Sequence, residues 1–179
     1  MNLPNTLTLS RIVLAAVLVL LLHERSLTGN IWAVIVFVIA SLTDFFDGHL
    51  AKTRGVISDF GKIMDPIADK VLMLSVFAVL AHLGQIAAWM FIVIAVREVG
   101  VTLYRLQAMR QGLVLPAEKA GKMKTVAQMI AVSSLLLYLV ARQFEGVLNW
   151  WAQINYILML AAVVLTVYSG IECLRRKKI

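Results

Sequence analysis

Cysteine is almost missing from this chain of 179 residues: Cys173 stands alone, which excludes an intramolecular disulfide and a cysteine metal cage. Charge is scarce as well. Asp, Glu, Lys and Arg together make up 15% of the residues and apolar types 61%, with a mean hydropathy of +0.87. An average soluble domain is about 45–50% apolar, so a water-soluble fold is excluded. No Pro-rich linker, low-complexity tract or internal repeat breaks the chain, and no polar/apolar alternation marks strands. Apolar runs near the roughly 20 residues that cross a bilayer leave almost nothing for a separate soluble domain. The expectation is one all-α integral membrane domain over residues 1–179. The 17 basic residues outnumber the 10 acidic ones for a net charge of +7. In so apolar a chain that surplus belongs to cytoplasmic loops facing anionic membrane lipids, and nucleic acid is not an expected partner. The apolar run from Ile12 to Leu22 is followed by His23, Glu24 and Arg25 instead of a small-residue cleavage site, so it reads as a retained helix.

The apolar runs give the spans. Thr6 to Leu22, broken only by Arg11, is the first, and Ser26 to Thr43 the second. Val71 to Val96 is uncharged over 26 residues. As one helix it would be about 39 Å long, more than a bilayer core needs. Its middle, His82-Leu83-Gly84-Gln85, predicts a tight hairpin, which carries Asp65 and Asp69 into one helix and Arg97 and Glu98 into the other. Thr125 to Ala141 is the fifth span, and about Ile154 to Ile171 the sixth, preceded by Trp150 and Trp151 as an interfacial anchor. Six spans put both termini on one side. With the hairpin, fourteen of the 17 basic residues fall on that side, Arg25 and Arg142 stay opposite, and Arg97 lies within a helix. That asymmetry marks the crowded side as cytoplasmic.

Acidic residues are few, yet five of the ten lie between Asp44 and Asp69: Asp44, Asp47, Asp59, Asp65 and Asp69. Asp44 and Asp47 are three apart and Asp65 and Asp69 four apart, so each pair shares a helix face with Cβ atoms about 5–6 Å apart. A carboxylate at a membrane helix centre costs about 2.5–3.5 kcal/mol on insertion scales, and four together repel one another. Cations must neutralise them. An all-oxygen set without Cys or His suits Mg2+ or Mn2+ rather than zinc. Two ions about 3.5–4 Å apart would be the arrangement for displacement at phosphorus. His23, His49 and His82 show no ligand spacing. Gly48, Gly61 and Ala51 mark close backbone approach, and the stretch Lys52 to Ser58 is basic and hydroxylic, as expected where phosphate oxygens are touched.

The run Asp44-x2-Asp47-Gly48-x2-Ala51-Lys52-x8-Gly61-x3-Asp65-x3-Asp69 resembles the signature of the CDP-alcohol phosphotransferases, membrane enzymes of phospholipid synthesis. Lys52 departs from the family's usual arginine, keeping the charge but losing the bidentate fork. The resemblance implies six transmembrane helices with a short N-terminal interfacial segment, a polar cavity open to the cytoplasm, and a homodimer. It further implies attack of an alcohol hydroxyl on the lipid-linked phosphate of a CDP-alcohol, with loss of CMP. Carried over by position, Asp44 and Asp65 would bridge two metal ions, Asp47 would hold one and Asp69 the other, and Asp69 would also take the proton from the attacking hydroxyl. Gly48, Ala51, Lys52, Ser58 and Gly61 fall where the family meets the CDP-lipid. Asn5, Thr8 and Arg11, on one helical face, resemble its nucleotide-facing opening; they read equally as a helix cap and a snorkelling arginine.

Ala68-Asp69-Lys70, Arg97-Glu98 and Gly121-Lys122-x-Lys124-Thr125-x2-Gln128 resemble the subgroup that joins CDP-diacylglycerol to glycerol 3-phosphate. An acceptor carrying a phosphate suits the cations Arg97, Arg105, Arg110, Lys119, Lys122 and Lys124. Arg97 is expected to meet substrate phosphate or a carboxylate, because its neighbour Glu98 projects about 100° away round the helix. Inositol phosphate, serine or phosphatidylglycerol are the competing acceptors. A divalent-cation transporter would also need intramembrane carboxylates, but has no use for the small residues at these offsets or the basic stretch between the pairs.

Overall fold

Six apolar runs become six helices: α1 (Leu3–His23), α2 (Leu27–Arg54), α3 (Asp59–His82), α4 (Ala88–Arg110), α5 (Lys119–Ala141) and α6 (Asn149–Arg175). The computed structural model describes residues 3–54, 59–111, 119–144 and 149–175; the side chains of 3–9, 44–54, 59–69, 110, 119 and 149 lie outside the description. No strand occurs among the described residues. Ala120–Ala141 in α5 and Trp150–Arg175 in α6 are long and apolar enough to cross a membrane, and Ser10–His23, Leu27–Thr43 and Lys70–His82 are shorter apolar stretches. Several helices outrun the apolar segments. The second continues past Thr43 through Asp44 and Asp47 to Arg54, and the N-terminal segment expected at the interface is continuous with α1 from Leu3. Charge signals where a chain leaves apolar surroundings, whereas a helix stops only where its backbone hydrogen bonds stop.

The chain forms two units, Met1–Val79 and Leu80–Ile179. In the first, α1 turns into α2 through Arg25 at φ 54°, and Ser26 caps the new helix by accepting the Gly29 N–H at 2.9 Å. A Cβ at Gly29 would lie 2.6 Å from the Leu21 carbonyl oxygen, so only glycine permits this approach of α2 to the end of α1. Further along, Ala15 of α1, Ala40 of α2 and Leu72 of α3 pack together, edged by Leu14 and Val71. Small residues at such contacts let membrane helices come close.

The second unit opens with the expected hairpin. Gln85 N–H bonds to the Leu80 carbonyl at 2.9 Å and Gly84 N–H to the Ala81 carbonyl at 3.0 Å, with Gly84 at φ +70°. This is a Schellman cap, which needs a residue tolerant of the left-handed region and ends α3 at His82. α6 packs against both α4 and α5. Its buried Met159, Ala162 and Val163 belong to a core with Met90 and Ile94 of α4 and Leu135 and Leu136 of α5. At the hairpin end Arg142, which the charge pattern assigns to the side opposite the termini, donates to Gln85 Oε1 of the turn at 3.2 Å. Trp151, stacked on Trp150 with ring centroids 6.3 Å apart, donates to Ser134 Oγ at 3.2 Å. The tryptophan anchor is thus tied into the α5–α6 contact.

Candidate active site

The first unit carries the carboxylates. Asp44 and Asp47 lie in the unbroken helix α2, and Asp65 and Asp69 in the unbroken helix α3, so the i,i+3 and i,i+4 spacings hold each pair to one helical face. Along their helices Arg11 stands four residues before Ala15, Asp44 four after Ala40 and Asp69 three before Leu72, the three residues that pack together. The side chains of Asp44, Asp47, Asp65 and Asp69 lie outside the described residues. Arg11 is buried at 6% exposure. An arginine enclosed among apolar helices is a candidate functional residue.

The other residues read as lipid contacts are distributed as follows. Asn5 and Thr8 are in α1, Gly48, Ala51 and Lys52 in α2 and Gly61 in α3, all by backbone placement. Ser58 lies outside the described residues. By residue type alone, four carboxylates on two helices are the kind of oxygen donors that hard divalent cations take.

The second unit holds a buried polar cluster across α4, α5 and α6. Lys124 Nζ donates to Glu98 Oε1, with both residues buried. Arg97 also reaches Glu98 Oε1, at 3.3 Å from Nη1, and its Nη2 donates to Ser169 Oγ at 2.7 Å. Thr102 Oγ1 donates to the Glu98 carbonyl at 2.7 Å, and Gln128 Nε2 donates to Thr166 Oγ1 at 2.9 Å. The ion pair with Glu98, the less favoured of the two readings of Arg97, is present in this geometry. Projection angle separates the two Cβ atoms, but a long guanidinium stem folds back far enough to reach its neighbour's carboxylate.

The six cations read as acceptor contacts therefore separate. Arg97 and Lys124 converge on Glu98, while Lys122, two residues from Lys124 and on another face of α5, is exposed. Arg105 is half-buried seven residues after Glu98, on the stripe of α4 that also buries Val101 and Ala108, and its Nε is enclosed without a hydrogen-bond partner among the described residues. The side chains of Arg110 and Lys119 are outside the described residues. Glu98 and Ser169 were not among the site residues that the sequence singled out. Their signal was available: Glu98 is an acid within an apolar helix, and Thr166 and Ser169 are hydroxyls three apart on an apolar one.

Comparison with known proteins adds the following. The family model for CDP-alcohol phosphatidyltransferases matches residues 1–168. The chain is similar to a probable phosphatidylglycerophosphate synthase from Mycobacterium tuberculosis, 39% identical over 180 residues, covering 98% of this chain and 81% of the relative. It is 37% identical over 188 residues to the CDP-diacylglycerol–glycerol-3-phosphate 3-phosphatidyltransferase of Bacillus subtilis, covering 96% and 92%. A protein of the same name from Rickettsia typhi is 32% identical over 174 residues, covering 94% and 93%.

Proposed function

The chain belongs to the CDP-alcohol phosphatidyltransferase family, and from that premise we propose that it moves the phosphatidyl group of CDP-diacylglycerol to the primary hydroxyl of glycerol 3-phosphate, giving phosphatidylglycerol phosphate and CMP. It is an integral membrane protein, and its family is divalent-metal dependent. The observation that carries the reading is the full aspartate signature, set in two continuous helices of the unit that also buries Arg11. The names of relatives aligned over nearly the whole chain support the choice of acceptor.

In this reading Asp44, Asp47, Asp65 and Asp69 would hold two divalent ions, Mg2+ or Mn2+, Asp44 and Asp65 being the residues that would serve both. When bound, such ions offset the charge of the pyrophosphate and of the departing CMP. Asp69 takes the proton as the acceptor hydroxyl attacks the phosphorus bearing diacylglycerol, whose bond to the CMP oxygen breaks. No covalent protein nucleophile is required. Gly48, Ala51 and Gly61 leave room for the CDP-lipid, and Asn5, Thr8, Arg11, Lys52 and Ser58 supply its polar contacts. The acceptor phosphate falls to the cations of α4 and α5. Arg97 and Arg105 are favoured over exposed Lys122, because enclosed guanidinium donors gain most from an anion.

The single domain crosses the membrane six times in this reading, with termini and active site on the cytoplasmic side and a second copy as partner. The basic asymmetry of the loops and the Arg142–Gln85 contact support the topology. The test is CMP release by purified protein given CDP-diacylglycerol with one acceptor at a time: glycerol 3-phosphate, inositol phosphate, serine or phosphatidylglycerol. Release with glycerol 3-phosphate is expected; release with another acceptor alone would transfer the chemistry to that acceptor.

A further inference from the structure

Arg97 is held in a way that its own helix cannot explain. Its side chain is 11% exposed, with Nη1 on Glu98 at 3.3 Å and Nη2 on Ser169 Oγ at 2.7 Å. Ser169 gives its own proton to the Thr166 carbonyl at 3.1 Å, which leaves the hydroxyl's lone pairs for the guanidinium. The next residue makes room for the stem. A Cβ at Gly170 would stand 3.1 Å from Arg97 Cγ and 3.3 Å from Nε, inside ordinary contact distance. The arginine thus lies over a glycine saddle on α6 and is pinned by the serine beside it. Among the described residues those two bonds are the guanidinium's only ones, and a guanidinium carries five protons. Its Nε is enclosed and has no hydrogen-bond partner among the described residues.

We infer that Ser169 and Gly170 of α6 are positioning residues that fix the Arg97 guanidinium for the acceptor's phosphate. The inference rests on the proposed use of glycerol 3-phosphate. Both residues follow residue 168, where the family match ends, so the match itself gives them no role. The physical reason is preorganisation. A free arginine loses rotamer entropy when it grips an anion, whereas one already seated against Ser169 and Glu98 loses little. Its unspent donors then face a penalty that a phosphate oxygen removes.

The test is a kinetic split in purified protein, with the two substrates varied separately. Ser169→Ala should raise the acceptor KM roughly tenfold, the size of one hydrogen bond to a charged group, and leave the CDP-diacylglycerol KM within about twofold. Ser169→Thr keeps the hydroxyl and should recover most of that loss. Gly170→Ala should raise the acceptor KM in the same selective way by pushing the stem aside. In an Arg97→Met background, where Glu98 keeps Lys124 as its counter-ion, Ser169→Ala should add nothing further. Equal rises in both KM values, or an effect of Ser169→Ala that persists undiminished without Arg97, would make the serine a packing residue and overturn the inference while leaving the proposed reaction intact. A wild-type protein with no turnover of glycerol 3-phosphate would overturn both.

Discussion

Glu98 is the position where substitution should cost the second unit most, and the structure sets the size. Its residue is 5% exposed and Lys124, its partner, 7%. Glu98 also bonds Arg97, so one carboxylate stands between two enclosed cations. Glu98→Gln removes the carboxylate charge from between two buried cations, and breaking a buried ion pair from one side costs about 3–5 kcal/mol. Lys124→Met is milder, because Glu98 keeps Arg97 and the charges still cancel; losing one charged hydrogen bond costs about 1.5–3 kcal/mol. At about 2–4 °C per kcal/mol for a chain of this size, Glu98→Gln should lower Tm by on the order of 10 °C. The double variant removes one of the two cations along with the carboxylate charge and should melt above Glu98→Gln alone. Cys173 provides the assay: it is the chain's one cysteine, buried at 3% exposure in α6, and a thiol-reactive dye in detergent solution reports its exposure during heating. A double variant that melts lower than Glu98→Gln by the full Lys124→Met decrement would refute the reasoning, because independent sites add and a shared ion cluster does not.

Asp44→Asn or Asp65→Asn should abolish CMP release while leaving the Cys173 melting profile within a few degrees, and excess chelator should stop the wild-type protein; full turnover in chelator contradicts the carboxylate–metal reading. Lys52→Ala should raise the CDP-diacylglycerol KM and Lys52→Arg should be tolerated, since both basic residues neutralise a pyrophosphate; equal loss in the two variants would indicate packing instead. A cysteine at Gln85 in a Cys173→Ser background should be labelled from outside the cell by an impermeant maleimide, whereas labelling only from the cytoplasmic side would invert the topology.

Much of the fold was legible because apolar run length and charge placement act locally. The His82 to Gln85 hairpin was legible because a helix too long for the bilayer must break, and Gly84 is the residue able to take φ +70°. Helix ends were less legible. Asp44 ends an apolar run but not α2, since a charged side chain does not by itself interrupt a backbone ladder. That Asp44 and Asp47 share one helix and Asp65 and Asp69 another was readable from their spacing, because residues three and four apart share a face in any helix. The α4–α6 cluster was not. Arg97 and Ser169 are far apart in sequence, and nothing in either helix specifies that they meet; that depends on which faces of α4 and α6 pack and on Gly170 leaving space for the stem.

The most direct test of the central claim is a competition. Purified protein with saturating CDP-diacylglycerol and divalent metal is given glycerol 3-phosphate and inositol phosphate at equal concentration, and the lipid products are weighed by mass spectrometry. Both acceptors are phosphate monoesters, so bulk charge favours neither and only the shape of the acceptor site decides. Phosphatidylglycerol phosphate should account for nearly all product, formed one for one with CMP. A lipid product dominated by phosphatidylinositol phosphate would contradict the account.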